Sequence, residues 1–229
     1  AINQMAKAAF GIMKSHEISV GRQIVLFIHA FMSSHSQAQS PRERILAKAL
    51  ELFYKQGYTA TGVNQIIKEA EVARASFYDH FHSKEDLLVA YATEMARTEI
   101  AGIRADVLKL STARERFFGP LAVLKPWLES SGYRGCPFQN VMAEAPPEAA
   151  RVWEVARQHR ESLRTFLQEL ALDLKNSGPA FAHLVPEAVA PTYLMLFEGA
   201  IALCVAYRQI WPVDHAESTL LTLISAQNG

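Results

Sequence analysis

The chain has 229 residues, half of them hydrophobic and a fifth charged, with 23 basic residues against 23 acidic. That length can bury a real core, the composition excludes an intrinsically disordered chain, and zero net charge removes any whole-molecule field drawing it to nucleic acid or membrane. Two cysteines, Cys136 and Cys204, are too few for a disulfide framework and lack zinc-ligand spacing.

Their scarcity fits a reducing compartment, the cytoplasm. The histidines are scattered, with His80 and His82 the close pair beyond the N-terminal tail, so no metal site is expected. Residues 1–39 differ from the rest: an apolar run, Ile24-Val25-Leu26-Phe27-Ile28, precedes the polar linker Ser33 to Gln39. The run is too short to span a bilayer, which needs about 20 residues. It reads as an N-terminal extension, with an added helix and an export signal as the other readings.

Helical punctuation begins at Ser40-Pro41-Arg42-Glu43, a serine cap with proline in the first turn and glutamate at the capping-box position. Ile45, Leu46, Ala49, Leu52 and Phe53 follow at helical spacing, and Gly57 ends the helix. Thr61 is placed to cap a short second helix with Val63, Ile66, Ile67 and Ala70 on its apolar face. After a tight break at Glu71-Val72-Ala73, a third short helix runs through Phe81, with Phe77 and Phe81 pointing inward. Ser83 caps a longer helix carrying Leu87, Leu88, Tyr91 and Met95. Further helices are predicted near 113–130, 137–145, 147–176, 186–210 and 214–227, and no stretch alternates with period two. The chain reads as all-α.

Three short helices, the last two joined by a tight turn, make a helix-turn-helix whose third helix enters the major groove. The outward residues of that helix are polar: Arg74, Ser76, Tyr78, Asp79 and His80. Arginine bonds guanine in a fork and aspartate accepts from cytosine, while Thr61, Tyr78 and Lys84 suit phosphate oxygens. Charge alone does not decide the matter, because basic and acidic residues balance between Pro41 and Asp86.

The segment Arg44 to Leu88 resembles the DNA-binding head of the TetR family of bacterial repressors. The resemblance is carried by Ala49-Leu50-Glu51-Leu52-Phe53, by Gly57-Tyr58-Thr59-Ala60-Thr61, and by Ser76-Phe77-Tyr78-Asp79-His80-Phe81 with Ser83-Lys84-Glu85 behind it. It implies a head over 40–84, an effector-binding and dimerisation body over 85–229, and a homodimer on a palindromic operator, released when a small molecule binds the body. It also implies that Asn64, Arg74, Ala75, Ser76 and Asp79 face bases, with Thr61, Tyr78, His80 and Lys84 at the DNA backbone. The sequence departs from the family at Glu71, Ala73 and Ala75, where glycine, serine and glycine are common. Ala73 cannot cap a helix, and Glu71 is uncomfortable in any left-handed turn.

In the body, Gly135-Cys136-Pro137-Phe138-Gln139-Asn140, with Glu144 following, resembles a Gly-Cys segment of some TetR sensor domains. Trp127, Cys136, Phe138, Asn140, Trp153, His159, Tyr193 and Phe197 are candidate linings of an apolar effector pocket with a few polar tips. Cys136 has three readings: a thiolate sensing oxidants or electrophiles, a pocket lining, or a small buried hydrophobe. Cys204 reads as core. Tyr193, Phe197, Ile201, Val205, Leu220, Leu223 and Ile224 are candidates for a four-helix dimer interface, with Gly199, Ala200, Ala202 and Ala206 allowing close approach. A helical carrier or enzyme with a vestigial head is the competing class, but no paired carboxylates, nucleophile signature or cofactor loop supports it. No cofactor and no membrane partner are expected.

Overall fold

The computed structural model describes residues 40–225, so the N-terminal extension lies outside the described residues. Among those residues the chain is helical throughout. The helices are α1 (Pro41–Gln56), α2 (Val63–Glu69), α3 (Arg74–His80), α4 (Lys84–Val107), α5 (Ala113–Ser130), α6 (Pro137–Glu144), α7 (Ala150–Asn176), α8 (Pro186–Tyr207) and α9 (Trp211–Ser225).

Local chemistry explains most of the boundaries. The Ser40 hydroxyl accepts from the Glu43 amide while the Glu43 carboxylate accepts from the Ser40 amide. Two of the orphan donors at the start of α1 are thereby satisfied. Ser83 accepts from Asp86 N–H at the start of α4, and Thr112 with Glu115 forms a second capping box at α5. Gly57, at φ 94°, ends α1 in a conformation that glycine takes without cost. Several boundaries differ from expectation, among them the end of α8, at Tyr207 where 210 was expected. The cap of α2 is Gly62 rather than Thr61. Helix α7 starts at Ala150, after the turn that follows Pro146-Pro147, and α9 starts at Trp211 because Pro212 sits in its first turn, where its missing N–H costs nothing.

Hydrophobic side chains gather in two clusters. One joins α1–α3 to the first half of α4 through Ile45, Phe53, Ile66, Phe77, Phe81, Leu88 and Tyr91, and continues into Val141, Ala145, Ala149 and Val152. The other fills the body between α4, α5, α7, α8 and α9. Met95 and Met142 pack against both. Helix α8 is long and apolar enough to cross a membrane by length and composition, yet Val189, Ala190, Tyr193, Phe197, Ala200, Ile201 and Cys204 along it are buried against the body. The Tyr193 hydroxyl donates to Phe117 O at 2.7 Å, beside a turn of α5 that Pro120 deprives of a backbone donor.

Candidate nucleic-acid interface and the core behind it

Helix α3 is seven residues long, too short to be stable alone. Phe77, fully buried, docks it onto α1 and lies beside Phe81, the two rings tilted with centres 6.1 Å apart. That docking turns Arg74, Ala75, Tyr78, Asp79 and His80 outward, and leaves Ser76 half-buried. The Arg74 guanidinium sits 5.8 Å from the Tyr78 ring centre, a cation–π contact that stiffens the flexible arginine. Asn64 on α2 is exposed as well.

Two further residues expected at the DNA backbone have other partners. Thr61 is fully buried, and its hydroxyl donates to Gly57 O at 2.6 Å and accepts from Gln56 at 3.1 Å. It holds the α1–α2 turn together and has no surface to offer a phosphate, which corrects its sequence assignment. Threonine serves caps and buried turns equally well, so its identity could not separate the two. Lys84 is half-buried with its ammonium 4.1 Å from the Tyr58 ring centre, and burial pulls its pKa below the usual lysine value.

The turn between α2 and α3 places Glu71 at φ 51°, the left-handed region. Arg44 Nη1 donates to Glu71 O at 3.0 Å and holds the strained peptide in place. Ala73 leads into α3 without a side-chain cap. A left-handed L-residue costs roughly 1–2 kcal/mol, and glycine's extra unfolded-state freedom returns about half of that. Glu71→Gly should therefore raise stability by about 0.5–1 kcal/mol, read as a melting temperature about 2 °C higher. An unchanged or lower melting temperature would mean that Arg44 already removes the strain.

Behind the head, the residues expected to line a pocket fall into separate places. Phe138 stacks flat on His159 with centroids 4.2 Å apart, and Cys136 lies beside them with Sγ 3.8 Å from Glu99 Oε2. His159 Nε2, buried without a hydrogen bond, is 3.5 Å from the same carboxylate. Trp127, Tyr193 and Phe197 belong to the same body core, and Trp127 Nε1 is buried and unpaired. Asn140 is half-buried and donates to Arg134 O at 3.2 Å, serving the loop before α6. Trp153 is 40% exposed and its indole donates to Pro146 O, so it stands outside the core, contrary to expectation. Its neighbours Arg151 and Glu154 are exposed as well, and apolar bulk alone had made it a candidate pocket lining.

Sequence reasoning assigned no site role to Tyr91 or Gln139, which it named, and passed over Glu99, Arg160 and Glu198. Tyr91 OH is buried and unpaired. Arg160 pairs with Glu198 at 3.0 Å, and Gln139 Nε2 donates to the same carboxylate at 2.8 Å. The available signal was Glu198 itself, a lone acid inside an apolar helix. Burial, reinforced by Glu99, pushes the Cys136 thiol well above its ordinary value. The thiolate, the form that oxidants and electrophiles attack, is thus disfavoured there. Among the described residues no cluster of metal-ligating side chains occurs.

The expected dimer residues also divide. Tyr193, Phe197, Ile201, Leu220 and Ile224 are buried inside their own chain, whereas Val205 and Leu223 are partly exposed. The outward face of α8 instead carries Met195, Gly199, Ala202, Leu203 and Ala206, with Trp211 exposed at the start of α9. Helix α8 is apolar on all sides, so periodicity gave no way to tell its inner face from its outer one.

Comparison with known proteins agrees with this geometry. The profile described as bacterial regulatory proteins, tetR family, matches residues 45–91. The transcriptional regulator AcuR of Cereibacter sphaeroides is 30% identical over 172 residues, 72% of this chain and 76% of that protein. The transcriptional repressor DhaR of Mycobacterium sp. is 25% identical over 183 residues, 77% of this chain and 89% of that one. The crystal structure of a TetR-family regulator from Streptomyces coelicolor superposes with a TM-score of 0.67 at 28% identity, covering 84% of this chain and 94% of that one. The relationship to AcuR over three quarters of that protein, with the family profile matching the head, makes the chain a member of the TetR family of DNA-binding, non-enzymatic transcriptional regulators.

Proposed function

We propose that the protein is a cytoplasmic homodimeric repressor that reads a palindromic operator and leaves it when a small molecule occupies the body. The observation that carries the DNA side is the outward polar face of α3, held by Phe77. Two copies of that helix, set about one DNA turn apart or a multiple of it, match a palindrome. The outward apolar stripe of α8 supports the dimer, since exposed patches of this kind mark interaction surfaces. For the effector side, support comes from Tyr91 OH and Trp127 Nε1, buried without hydrogen-bond partners. Buried polar atoms left unpaired cost stability, and a ligand with matching groups relieves that cost. Such a ligand is apolar or amphipathic with hydrogen-bonding atoms, and it must favour the DNA-incompetent state.

The test is a titration against labelled duplex from the protein's own upstream region, at two salt concentrations and with unlabelled competitor. Binding should survive competitor and weaken with salt. Arg74→Ala should lower affinity about 10- to 100-fold, the weight of one forked base contact. Binding no tighter than to random duplex, or an unaffected Arg74→Ala variant, would sink this reading of α3.

A further inference from the structure

The stretch from Gly132 to Glu144 touches three parts of the molecule in turn. At its start Arg208 Nη2, at the end of α8, donates to Gly132 O at 3.1 Å. Gly135 lies so close to α8 that a Cβ there would stand 2.7 Å from Val205 Cγ2. Arg134 Nε donates to Tyr54 O of α1 at 2.8 Å. In its middle, Phe138 stacks on His159 and Gln139 binds Glu198. At its end the Glu144 carboxylate accepts the Thr59 N–H at 2.7 Å, in the turn between α1 and α2.

The approach of Glu144 is close. An added Cβ on Gly57 would meet Glu144 Oε1 at 2.5 Å, so the glycine leaves room for the carboxylate as well as adopting its positive φ. The same turn carries Tyr58, on whose ring the Lys84 ammonium rests. A charged acceptor holding a backbone amide is among the stronger hydrogen bonds a protein makes. The turn it grips leads directly into α2, which braces α3.

We propose that Glu144 is a positioning residue for DNA binding. Through α6 it ties the α1–α2 turn of the head to the Phe138–His159 stack in the body, so a disturbance of that stack is felt at the head. The natural trigger rests on the effector reading above; the mechanical link does not. The device differs from a shift of α4 alone, because it reaches the head at a turn that α4 does not contain.

The experiment uses the full-length protein and measures amide exchange by mass spectrometry, together with affinity for a duplex selected by the wild type from random sequence. Glu144→Ala should speed exchange of the peptide containing Thr59 by about tenfold or more and weaken duplex binding, while exchange in α7 and α8 stays as in the wild type. Glu144→Gln, which keeps an acceptor oxygen, should restore most of both. Phe138→Leu should also speed exchange at Thr59, but should add nothing in the Glu144→Ala background. Gln139→Ala, which disturbs α6 from the Glu198 side, should follow the same pattern and serves if Phe138→Leu does not fold. Unchanged exchange at Thr59 in Glu144→Ala would overturn the proposal. So would a rise spread evenly over the body, or equal core-variant effects with and without Glu144. Failure to select any duplex would count against the DNA reading alone, since the exchange results stand without it.

Discussion

Replacing Leu203 by aspartate should yield a monomer and lower affinity for a two-half-site duplex by about 100-fold or more, the usual weight of lost bivalency. Leu203 is 43% exposed and Met195, two turns earlier on the same face, is 67% exposed. Between and beyond them lie Gly199, Ala202 and Ala206, and nothing stands within 4 Å of a Cβ built on Gly199. Small residues flanked by large apolar ones let a second helix come close and still find side chains to pack against. A carboxylate buried there without a partner costs several kcal/mol. The opposite face of α8, with Tyr193 and Phe197, stays in the core, so the protomer should keep its helical content. Sedimentation velocity and duplex titration read the two effects. A variant that remains dimeric with unchanged affinity would move the interface away from α8.

The second large effect concerns the head. Phe77→Ala removes the one buried side chain of α3, and truncating a buried phenylalanine typically costs about 3–5 kcal/mol. Whole-protein stabilities are about 5–15 kcal/mol, so the loss is large, and it falls on an element with little order of its own. The variant should lose sequence-specific duplex binding while keeping most of its far-ultraviolet circular dichroism, because the body has a separate hydrophobic cluster. The neighbouring Tyr78→Ala change, at an exposed ring, gives the contrast: it should weaken binding without altering the melting profile. A Phe77→Ala protein that binds duplex within a few fold of the wild type would show that α3 is held by something else.

Where local chemistry decides an element, the sequence was legible. Ser40 with Glu43, Ser83, Gly57 and the spacing of Phe77 and Phe81 each marked a helix end or an inward face, and the structure places them so. At Glu71 the sequence marked a residue unsuited to a left-handed turn, and φ 51° shows that the turn is left-handed. What could not be read is which of several apolar faces goes inside. On α8 both faces are apolar, and of the residues expected at a partner's surface Tyr193, Phe197 and Ile201 are buried in the chain's own core while Val205 is partly exposed. Thr61 and Trp153 failed for a related reason, since hydroxyl and indole groups serve buried and exposed positions alike. The partners of Glu144, Glu99 and Glu198 could not be read, because their contacts reach across 85, 37 and 59 residues of chain.

Four residues of the body, Val141, Ala145, Ala149 and Val152, complete the cluster that begins in α1. For anyone building chimeras, the transplantable unit is therefore not a contiguous N-terminal fragment. A reading head cut at the start of α4 and grafted onto a foreign sensor would arrive with an uncovered oily patch and a missing lid. It would tend to aggregate or to bind weakly whatever the quality of its base contacts. A graft that also carried the α6 surface and the first turn of α7, matched to the head they evolved with, would keep the patch sealed and leave the new sensor free to differ elsewhere.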